Sequence, residues 1–415
     1  MQERKTRNVG FVSTRIAGTD GVSLEIEKWA TVLCRNQFNC FYFAGELDRD
    51  PQKSFLTEEA HFEHPDVAAI TQRLFGVEQR PRAVTDEVHA LTKRLKAKLY
   101  GFCDAFGIDL LVPENALTIP MNIPLGLALT EFIAETGIST IAHHHDFYWE
   151  RDRFLINGCQ DYLDQAFPPN LPPIRHVVIN SLASKQLSYR RGLSNTIVPN
   201  VYDFANAPEV AGDACPIRSE IGFEGGDLFV LQPTRVVPRK RIERSIEVVR
   251  QLELTDPTLV ISHAAGDEGQ AYARTINEVA KNAGVKLAFI DHLIGGNAHT
   301  KRYALADAYQ CADLVLYPSG YEGFGNAFLE AIYYKKPIVV NRYPIFIADI
   351  EPKGFDVIKI DGNVGSKTID MIKRVLADRA HHKSMVEKNY ELGKQYFSFE
   401  VLEKKLLGAI DTLGV

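Results

Sequence analysis

The chain has 415 residues, a length at which two or three domains are expected. Hydrophobic residues make up 45% and charged residues 24%, a balance that excludes wholesale disorder and permits large packed cores. The formal net charge of −6 argues against a polyanionic partner such as nucleic acid. No apolar stretch approaches the roughly 20 residues needed to span a bilayer, so we expect no membrane span.

The six cysteines, at positions 34, 40, 103, 159, 215 and 311, are scattered and contain no Cys-x-x-Cys pair. This pattern is typical of ordinary thiols in a reducing compartment rather than of a disulfide framework. We therefore predict a cytoplasmic protein.

The first half of the chain begins with a strand, a glycine-containing loop and a helix. An apolar run at 9–13 predicts the strand, and the helical spacing of apolar residues from Val22 to Leu33 predicts the helix. Gly18 and Gly21 lie in the loop between them. Further strands are predicted at 41–43, at 109–113 and from 139, with helices at 88–102 and 125–135. This alternation is typical of a doubly wound α/β domain.

A concentration of polar and aromatic residues at 143–153 follows the strand that starts at Ser139: three histidines, an aspartate, aromatic side chains and alternating charges. Open α/β sheets bind ligands at the carboxyl ends of their strands, so we predict a site here. One metal ion held by all three histidines is disfavoured, because consecutive strand residues alternate faces. A sugar site built from hydrogen bonds is the preferred interpretation.

The polar, alanine-rich stretch 205–213 predicts a linker between two domains. We predict an N-terminal domain at 1–204 and a C-terminal domain at 205–390, followed by a terminal helix at 391–415.

Four cations within 235–241 follow a predicted strand at 228–234 and precede a helix. A charge run of this kind can be a solvated surface. Its position between a strand and a helix favours an anion site instead, because Arg235 can bind phosphate oxygens as a fork and Lys240 as a point charge.

The stretch 314–332 is again a strand, a glycine-containing loop and a helix, which is predicted to begin near Asn326. Glycines let the backbone approach a ligand, and the first turn of a helix presents unpaired N–H groups and a positive dipole end. The anion we expect there is a diphosphate. Glu322 and Glu330 would repel it, so we interpret them as acceptors for the hydroxyl groups of a sugar and a ribose.

The spacing from Glu322 to Glu330, with Gly-Phe-Gly between them, resembles the E-x7-E signature of the retaining nucleotide-sugar glycosyltransferases of family four, which have the GT-B fold. The resemblance implies two Rossmann-like domains facing across a cleft, the first for the acceptor and the second for the nucleotide sugar, with the C-terminal helix packing back on the first domain. In that family the first glutamate lies near the donor sugar and the second holds the ribose. Arg235 and Lys240 match the family's arginine and lysine, which are also five residues apart.

The resemblance extends to the first half of the chain. His145 and Asp146 look like the family's His-Asp pair, whose histidine contacts the transferred sugar, and His144 is the alternative if the register differs by one residue. The loop with Gly18 and Gly21 is similar to the family's glycine loop near the donor phosphates, although the family has adjacent glycines where this chain has Gly-Thr-Asp-Gly.

The resemblance implies three groups of site residues. The catalytic group is His145, Arg235, Lys240 and Glu322; the donor-binding group is Gly18, Gly21, Leu293, Phe324, Gly325, Asn326, Ala327 and Glu330; the acceptor-binding group is His144, Asp146, Tyr148, Trp149 and Arg153. Leu293 is included because its segment corresponds to the one whose backbone reads the nucleobase in the family.

The difficult event in such a reaction is departure of a nucleoside diphosphate. Arg235, Lys240 and the N–H groups at 325–327 are expected to stabilise its developing charge, the preorganised electrostatic effect that usually dominates catalysis. No Asp-x-Asp metal motif occurs in a suitable loop. We therefore expect no required cofactor and no metal site; a divalent cation is compatible with this interpretation but is not indicated.

The segment His-Asp-Phe-Tyr-Trp-Glu-Arg at 145–151 looks similar to bacterial enzymes that make glycerate-linked solutes from GDP-mannose. The favoured partners are thus a nucleoside-diphosphate sugar and a small hydroxylated acceptor. A transferase that uses a UDP-sugar to make a surface glycan or glycolipid, a GT-B sugar-nucleotide epimerase and a non-catalytic nucleotide-sugar sensor remain alternatives. Homo-oligomerisation is left open.

Overall fold

A computed structural model of the chain describes residues 7–18, 20–208, 215–223, 227–254, 257–264, 270–295 and 302–414. The chain divides into two compact units, one comprising 1–200 with 400–415 and the other 201–399. The division follows Asn200, whereas the sequence suggested residue 204, and the segment that joins the first unit begins at 400 rather than 391. Of the predicted linker, residues 209–213 lie outside the described residues.

The first unit is an alternation of strands and helices. Its elements are β1 (Arg7–Val12), α1 (Gly21–Arg35), β2 (Phe38–Ala44), β3 (Ser54–Leu56), α2 (Pro65–Leu74), α3 (Arg82–Phe106), β4 (Leu110–Pro113), α4 (Ile123–Thr136), β5 (Ser139–His144), α5 (Gln160–Ala166), β6 (Ile174–Val178), α6 (Ser181–Arg191) and β7 (Asn195–Ile197). The second unit follows the same alternation. Its elements are α7 (Pro216–Glu220), β8 (Phe229–Gln232), α8 (Ile242–Leu252), β9 (Thr258–Ile261), α9 (Gln270–Ala283), β10 (Lys286–Phe289), α10 (Leu305–Cys311), β11 (Leu314–Tyr317), α11 (Asn326–Tyr333), β12 (Ile338–Asn341), β13 (Ile358–Ile360), α12 (Ser366–Ala377) and α13 (Arg379–Phe397); α14 (Phe399–Asp411) ends the chain.

The described strands form two parallel sheets. The first has the order β3-β2-β1-β4-β5-β6-β7 and the second the order β10-β9-β8-β11-β12-β13. In each sheet the order reverses once, between β1 and β4 or between β8 and β11, which is the Rossmann-like arrangement. Ligands of such sheets bind beyond the carboxyl ends of the strands at this reversal. The prediction of two Rossmann-like α/β units is confirmed.

Local sequence explains where several of these elements begin and end. The central strands β4, β8 and β11 are buried along their whole length, which is why they are apolar runs, broken only by Gln232 at the end of β8, rather than alternating ones. The carboxylate of Asp20 accepts hydrogen bonds from the first turn of α1. At the other end of a helix, Gly107 ends α3 in the left-handed conformation that favours glycine.

The terminal helix α14 is tied to the first unit by hydrogen bonds from its middle and from the residue that follows it. Lys405 donates from Nζ to the carbonyl of Ile197 at 2.8 Å, and Arg175 donates to the carbonyl of Thr412 at 3.1 Å. None of the helices in the described part of the chain is both long and apolar enough to cross a membrane.

The expectation of ordinary thiols is wrong for two of the six cysteines. Cys215 and Cys311 form a disulfide, with their Cα atoms 5.5 Å apart. They are 96 residues apart in sequence, and Cys311 ends α10 while Cys215 precedes α7. Sequence spacing does not reveal the pair, because only the packing of these two helices brings the residues together.

Strands β5 and β6 bury a pair of histidines between them. Nε2 of His144 lies 2.9 Å from Nδ1 of His176, and both side chains are buried. His176 also hydrogen-bonds to the backbone carbonyl of Pro169. Burial lowers the pKa of His176 to about 4 and holds the pKa of His144 well below its ordinary value, so both rings are neutral.

We predict that His176 contributes an acid-sensitive part of the stability of the first unit. Its folded pKa of about 4 lies below the ordinary value of 6.5. Between these two pH values the unfolded chain binds a proton at His176 and the folded chain does not. This contribution to the free energy of unfolding is fully present above the pKa of the unfolded chain. It is lost as the pH falls toward the pKa of the folded protein, and the total loss is about 3 kcal/mol. Denaturant titrations at a series of pH values across this window measure it.

The variant His176→Gln should reduce the number of protons taken up on unfolding by about one. The matched control is His89→Gln, because His89 is exposed in the same unit. An unchanged pH dependence in His176→Gln would contradict the assignment of a neutral buried ring.

Candidate active site

The loop between β11 and α11 is held in one conformation by Tyr343. Its hydroxyl donates to the carbonyl of Phe324 at 2.7 Å, and Gly325, which precedes the first residue of α11, has a φ of 130°. A Cβ on Gly325 would lie 2.4 Å from the Tyr343 hydroxyl. A glycine is therefore required here for the loop to enter the helix, which begins at Asn326 as expected from the sequence.

Glu322 is buried between two cations. It is 7% exposed, and its carboxylate binds the ammonium of Lys240 on one oxygen and the guanidinium of Arg239, at 3.0 Å, on the other. Burial raises the pKa of Glu322, but the charges of Lys240 and Arg239 outweigh it and hold the pKa below its ordinary value. Glu322 is therefore an ionised carboxylate in a largely buried ion cluster.

The topology of the second sheet explains why these residues meet. Lys240 ends a short turn at Pro238–Lys240 after β8, and Glu322 lies in the loop after β11, the neighbouring strand. Two hydrogen bonds join the loops to each other and to the sheet: the backbone N–H of Gly320 donates to the carbonyl of Arg239 at 2.9 Å, and the side-chain amide of Gln232 donates to the carbonyl of Lys240 at 3.0 Å. The cluster lies at the reversal of strand order, where this fold places ligands.

Arg235 and Lys240 have different environments. Arg235 is exposed, whereas Lys240 is 8% exposed, and the charge of Arg235 acts on the Lys240 ammonium. The sequence did not single out Arg239 among the four cations, because the family's arginine and lysine correspond to Arg235 and Lys240. Its contact with Glu322 adds it to the candidate site.

Glu330 lies one turn inside α11 and is held by Tyr309. The Tyr309 hydroxyl lies 2.7 Å from Oε2 of Glu330, and Tyr309 itself is fully buried. Of the other expected donor-binding residues, the side chain of Phe324 is 3% exposed and packs edge-on against Phe397, so it belongs to the core. The N–H of Leu293 donates to Ile290, so that backbone donor already has a partner.

In the first unit, the loop after β1 is closed by Asp20. Its carboxylate accepts hydrogen bonds from the backbone and hydroxyl of Ser23 and pairs with Arg15 at 3.1 Å. Gly18 has a φ of 73°, and its N–H donates to Asp48 at 2.7 Å. Gly21 is the first residue of α1, and Thr19 between them lies outside the described residues.

A carboxylate that sequence reasoning missed lies at the end of β4. Glu114 is fully buried, and its oxygens are 2.9 and 3.1 Å from Nδ1 of His143 and 3.2 Å from Nε2 of His145. The backbone N–H of His145 donates to Asn115 at 2.8 Å. The available signal was a charged residue directly after an entirely apolar strand, next to the strand that ends in histidines.

Electrostatics differ among the three members of this cluster. Burial lowers the pKa of His143. Burial acts in the same direction on His145, but its hydrogen bond to Glu114 and the charge of that residue reverse the effect and raise the pKa. Burial raises the pKa of Glu114, and the two histidines more than offset this, so that Glu114 is a carboxylate.

Candidate ligand atoms of Glu114, His143 and His145 lie within 4.8 Å of one another. The expectation that three consecutive histidines cannot reach one ion holds for His144, but His143 and His145 share a face and converge with a carboxylate. Two imidazoles and a carboxylate could hold a divalent first-row metal. The same contacts are also hydrogen bonds, since a carboxylate accepts from both rings.

His144 is set apart from this cluster. As shown above, it is buried against His176 on the other face of β5. The alternative in which His144 replaces His145 as the sugar-facing histidine is therefore wrong, because a one-residue change in a strand reverses the direction of the side chain.

The segment after β5 is held by several internal contacts. Asp146 pairs with the guanidinium of Arg151, and Trp149 stacks on Phe147 at 4.5 Å while its indole N–H donates to Gln186. The remaining two expected acceptor residues differ in exposure: Tyr148 is half-buried against the core of the first unit, and Arg153 is exposed over the ring of Phe154.

Comparison with known proteins identifies relatives of the chain. Residues 216–392 match the family Glycosyl transferases group 1. A mannosylglucosylglycerate synthase from Thermotoga maritima is 31% identical, with 92% of this chain and 95% of the relative covered. Another, from Petrotoga mobilis, is 30% identical, with 95% and 99% covered. The predicted resemblance to enzymes of glycerate-linked solutes is confirmed.

Solved structures give the fold. A sucrose-phosphate synthase from Thermosynechococcus elongatus superposes with a TM-score of 0.67 at 14% identity, covering 98% of this chain and 99% of that one. A glycosyltransferase from Rickettsia africae superposes with a TM-score of 0.70 at 12% identity, covering 99% of both chains. Together with the sequence relatives, these findings show that the chain belongs to the group 1 glycosyl transferases and is a glycosyltransferase of the GT-B fold.

Proposed function

We propose that the enzyme transfers a hexose, with retention of anomeric configuration, from a nucleoside-diphosphate sugar to a hydroxyl of a small acceptor. GDP-mannose is the favoured donor and a glycosyl glycerate the favoured acceptor, because both relatives named above are mannosylglucosylglycerate synthases. The observation that carries the proposal is the ion cluster in which the buried carboxylate of Glu322, in the loop before α11, binds the buried Lys240 and the exposed Arg239.

The charge of this cluster supports binding of a diphosphate. Arg235, Arg239 and Lys240 carry three positive charges against the single carboxylate of Glu322. The surplus is positive, and the N-terminus of α11 adds the positive end of its dipole. A diphosphate can therefore bind without removing Glu322 from Lys240, and the same groups stabilise the charge that develops as the nucleotide departs. No step in this scheme requires a metal.

Glu322 serves in this scheme to position the sugar and Lys240 rather than to attack the anomeric carbon. Its two oxygens are already bound to cations, which lowers its basicity and its reactivity as a nucleophile. Glu330, oriented by Tyr309, accepts hydrogen bonds from the ribose hydroxyls. On the other unit, His145 contacts the transferred sugar, and Asp146, Tyr148, Trp149 and Arg153 contribute to the acceptor pocket.

Donor selectivity is tested by thermal unfolding with UDP, GDP, ADP and their sugar conjugates. A ligand that binds only the folded state raises its stability by about 2.7 kcal/mol at a hundredfold excess over its dissociation constant. We expect the midpoint to rise selectively with GDP and GDP-mannose. A UDP-selective rise would instead support a transferase that uses UDP-sugars, and no rise with any nucleotide would overturn the proposal.

Transfer is tested by incubating GDP-mannose with glucosylglycerate and following GDP release and product formation by NMR. We expect GDP release to depend on the acceptor and the new linkage to have the anomeric configuration of the donor. Conversion of the donor sugar without an acceptor would support an epimerase. An inverted product would contradict the retaining mechanism.

The variant Lys240→Ala should lower kcat/KM by about tenfold or more, because it removes a cation next to the departing phosphates and leaves Glu322 less compensated. Arg250→Ala is the matched control, since Arg250 is a half-exposed cation of the same unit, paired with Glu247 on α8. Glu322→Gln should retain measurable transfer. Its complete inactivity would weaken the positioning role of Glu322.

A further inference from the structure

The buried carboxylate of Glu114 has no part in the scheme above. It is fully buried at the end of β4, next to the reversal of strand order in the first sheet. Burying a carboxylate is unfavourable unless its oxygens accept hydrogen bonds from nearby donors. Here the donors are the imidazoles of His143 and His145, which flank His144, the last residue of β5.

The contacts determine which ring nitrogen of His145 carries a proton. An ionised carboxylate only accepts hydrogen bonds, so Nε2 of His145, which lies 3.2 Å from Glu114, must donate. The other nitrogen, Nδ1, has no hydrogen-bond partner among the described residues and is left as an acceptor when the ring is neutral. A second anchor at 2.8 Å holds the backbone N–H of His145 to Asn115.

The cluster is directional, because only one of its members reaches the surface. The side chain of His145 is 12% exposed, whereas those of His143 and Glu114 are 1% and 0% exposed. His143 also fills the space behind His145: its ring lies 4.2 Å from that of Trp29 and 4.4 Å from that of His145. His143 thus binds the carboxylate of Glu114 from the buried side, and His145 binds it from the side that is partly exposed.

We propose that Glu114 is a positioning residue for His145, which it holds in the tautomer with a proton on Nε2 so that Nδ1 faces the transferred sugar. The proposal rests on the proposed function, because it takes His145 as the residue that contacts the sugar. His143 is the buried support that prevents the carboxylate from rotating away. A neutral amide in place of Glu114 would lose this selection, since an amide can either donate to the ring or accept from it.

The test of the proposal is a double-mutant cycle on the mannosyl-transfer reaction with GDP-mannose and glucosylglycerate. Glu114→Gln should lower kcat by roughly ten- to hundredfold while the thermal shift given by GDP stays unchanged. In the background of His145→Ala, Glu114→Gln should cause no further loss, because it acts through the missing ring. A full further loss in that background would overturn the proposal, as would a rise in KM for the donor with kcat unchanged.

The matched control is His176→Gln, which removes the hydrogen-bond partner of the other buried histidine of β5, His144. Its effect on kcat, which we expect to be small, should multiply with that of His145→Ala, because it does not act through His145. Glu114→Asp, which keeps the charge, should recover part of the activity lost in Glu114→Gln. Equal activity of the two variants would show that the charge is unimportant and would overturn the proposal.

A measurement without substrate separates this proposal from the proposed function. Nitrogen-15 spectra of protein labelled at histidine, recorded at alkaline pH because the pKa of His145 is raised and assigned with His145→Gln, should show the neutral His145 ring protonated at Nε2, and Glu114→Gln should change these signals. A neutral wild-type ring that carries its proton on Nδ1 would overturn the proposal whatever the enzyme transfers. One equivalent of bound divalent metal in the wild type, lost in Glu114→Gln, would also overturn it, since the cluster would then be a metal site.

Discussion

The buried ion cluster around Glu322 is the interaction on which the site of the second unit depends. Lys240 and Glu322 come from loops after neighbouring parallel strands, and each is largely excluded from water. Removing one member of such a pair leaves a buried charge without a partner, which typically costs about 3–5 kcal/mol. The cluster therefore fixes the position of the loop after β8 relative to the loop after β11. It also keeps a cation next to the helix end where a diphosphate would bind.

The same physical arrangement recurs in the first unit with different chemistry. There the neighbouring strands are β4 and β5, and the buried carboxylate is Glu114, whose partners are imidazoles rather than an ammonium and a guanidinium. In both units an acidic residue follows a wholly buried strand at or beside the reversal of strand order. In each unit the carboxylate binds a neighbouring side chain, that of Lys240 or that of His145, and burial limits the motion of the pair. We propose that each acid positions this partner.

Sequence and structure agree where the signal is local. The loop from Tyr317 to Asn326 and the start of its helix could be predicted because glycines and apolar periodicity act within a few residues. The family signature pointed to Lys240 and Glu322, although their direct contact was not foreseen. The family signature left His144 as an alternative to His145, since that distinction depends on which face of β5 meets the neighbouring strand. The disulfide between Cys215 and Cys311 was missed for a similar reason: its partners are distant in sequence and adjacent only after packing.

The amino-acid sequence by itself determined the alternation of strands and helices, the Rossmann-like class of both units and the family, because these follow from hydrophobic periodicity and from motifs of a few residues. The tertiary structure alone decided which side chains share a site. Arg239 and Glu114 enter only through contacts across neighbouring parallel strands, and the structure places the ring of Phe324 in the core against Phe397. Parallel strands are joined through intervening helices, so residues at their carboxyl ends are far apart in sequence. Their pairing depends on strand order and register, which no local pattern encodes.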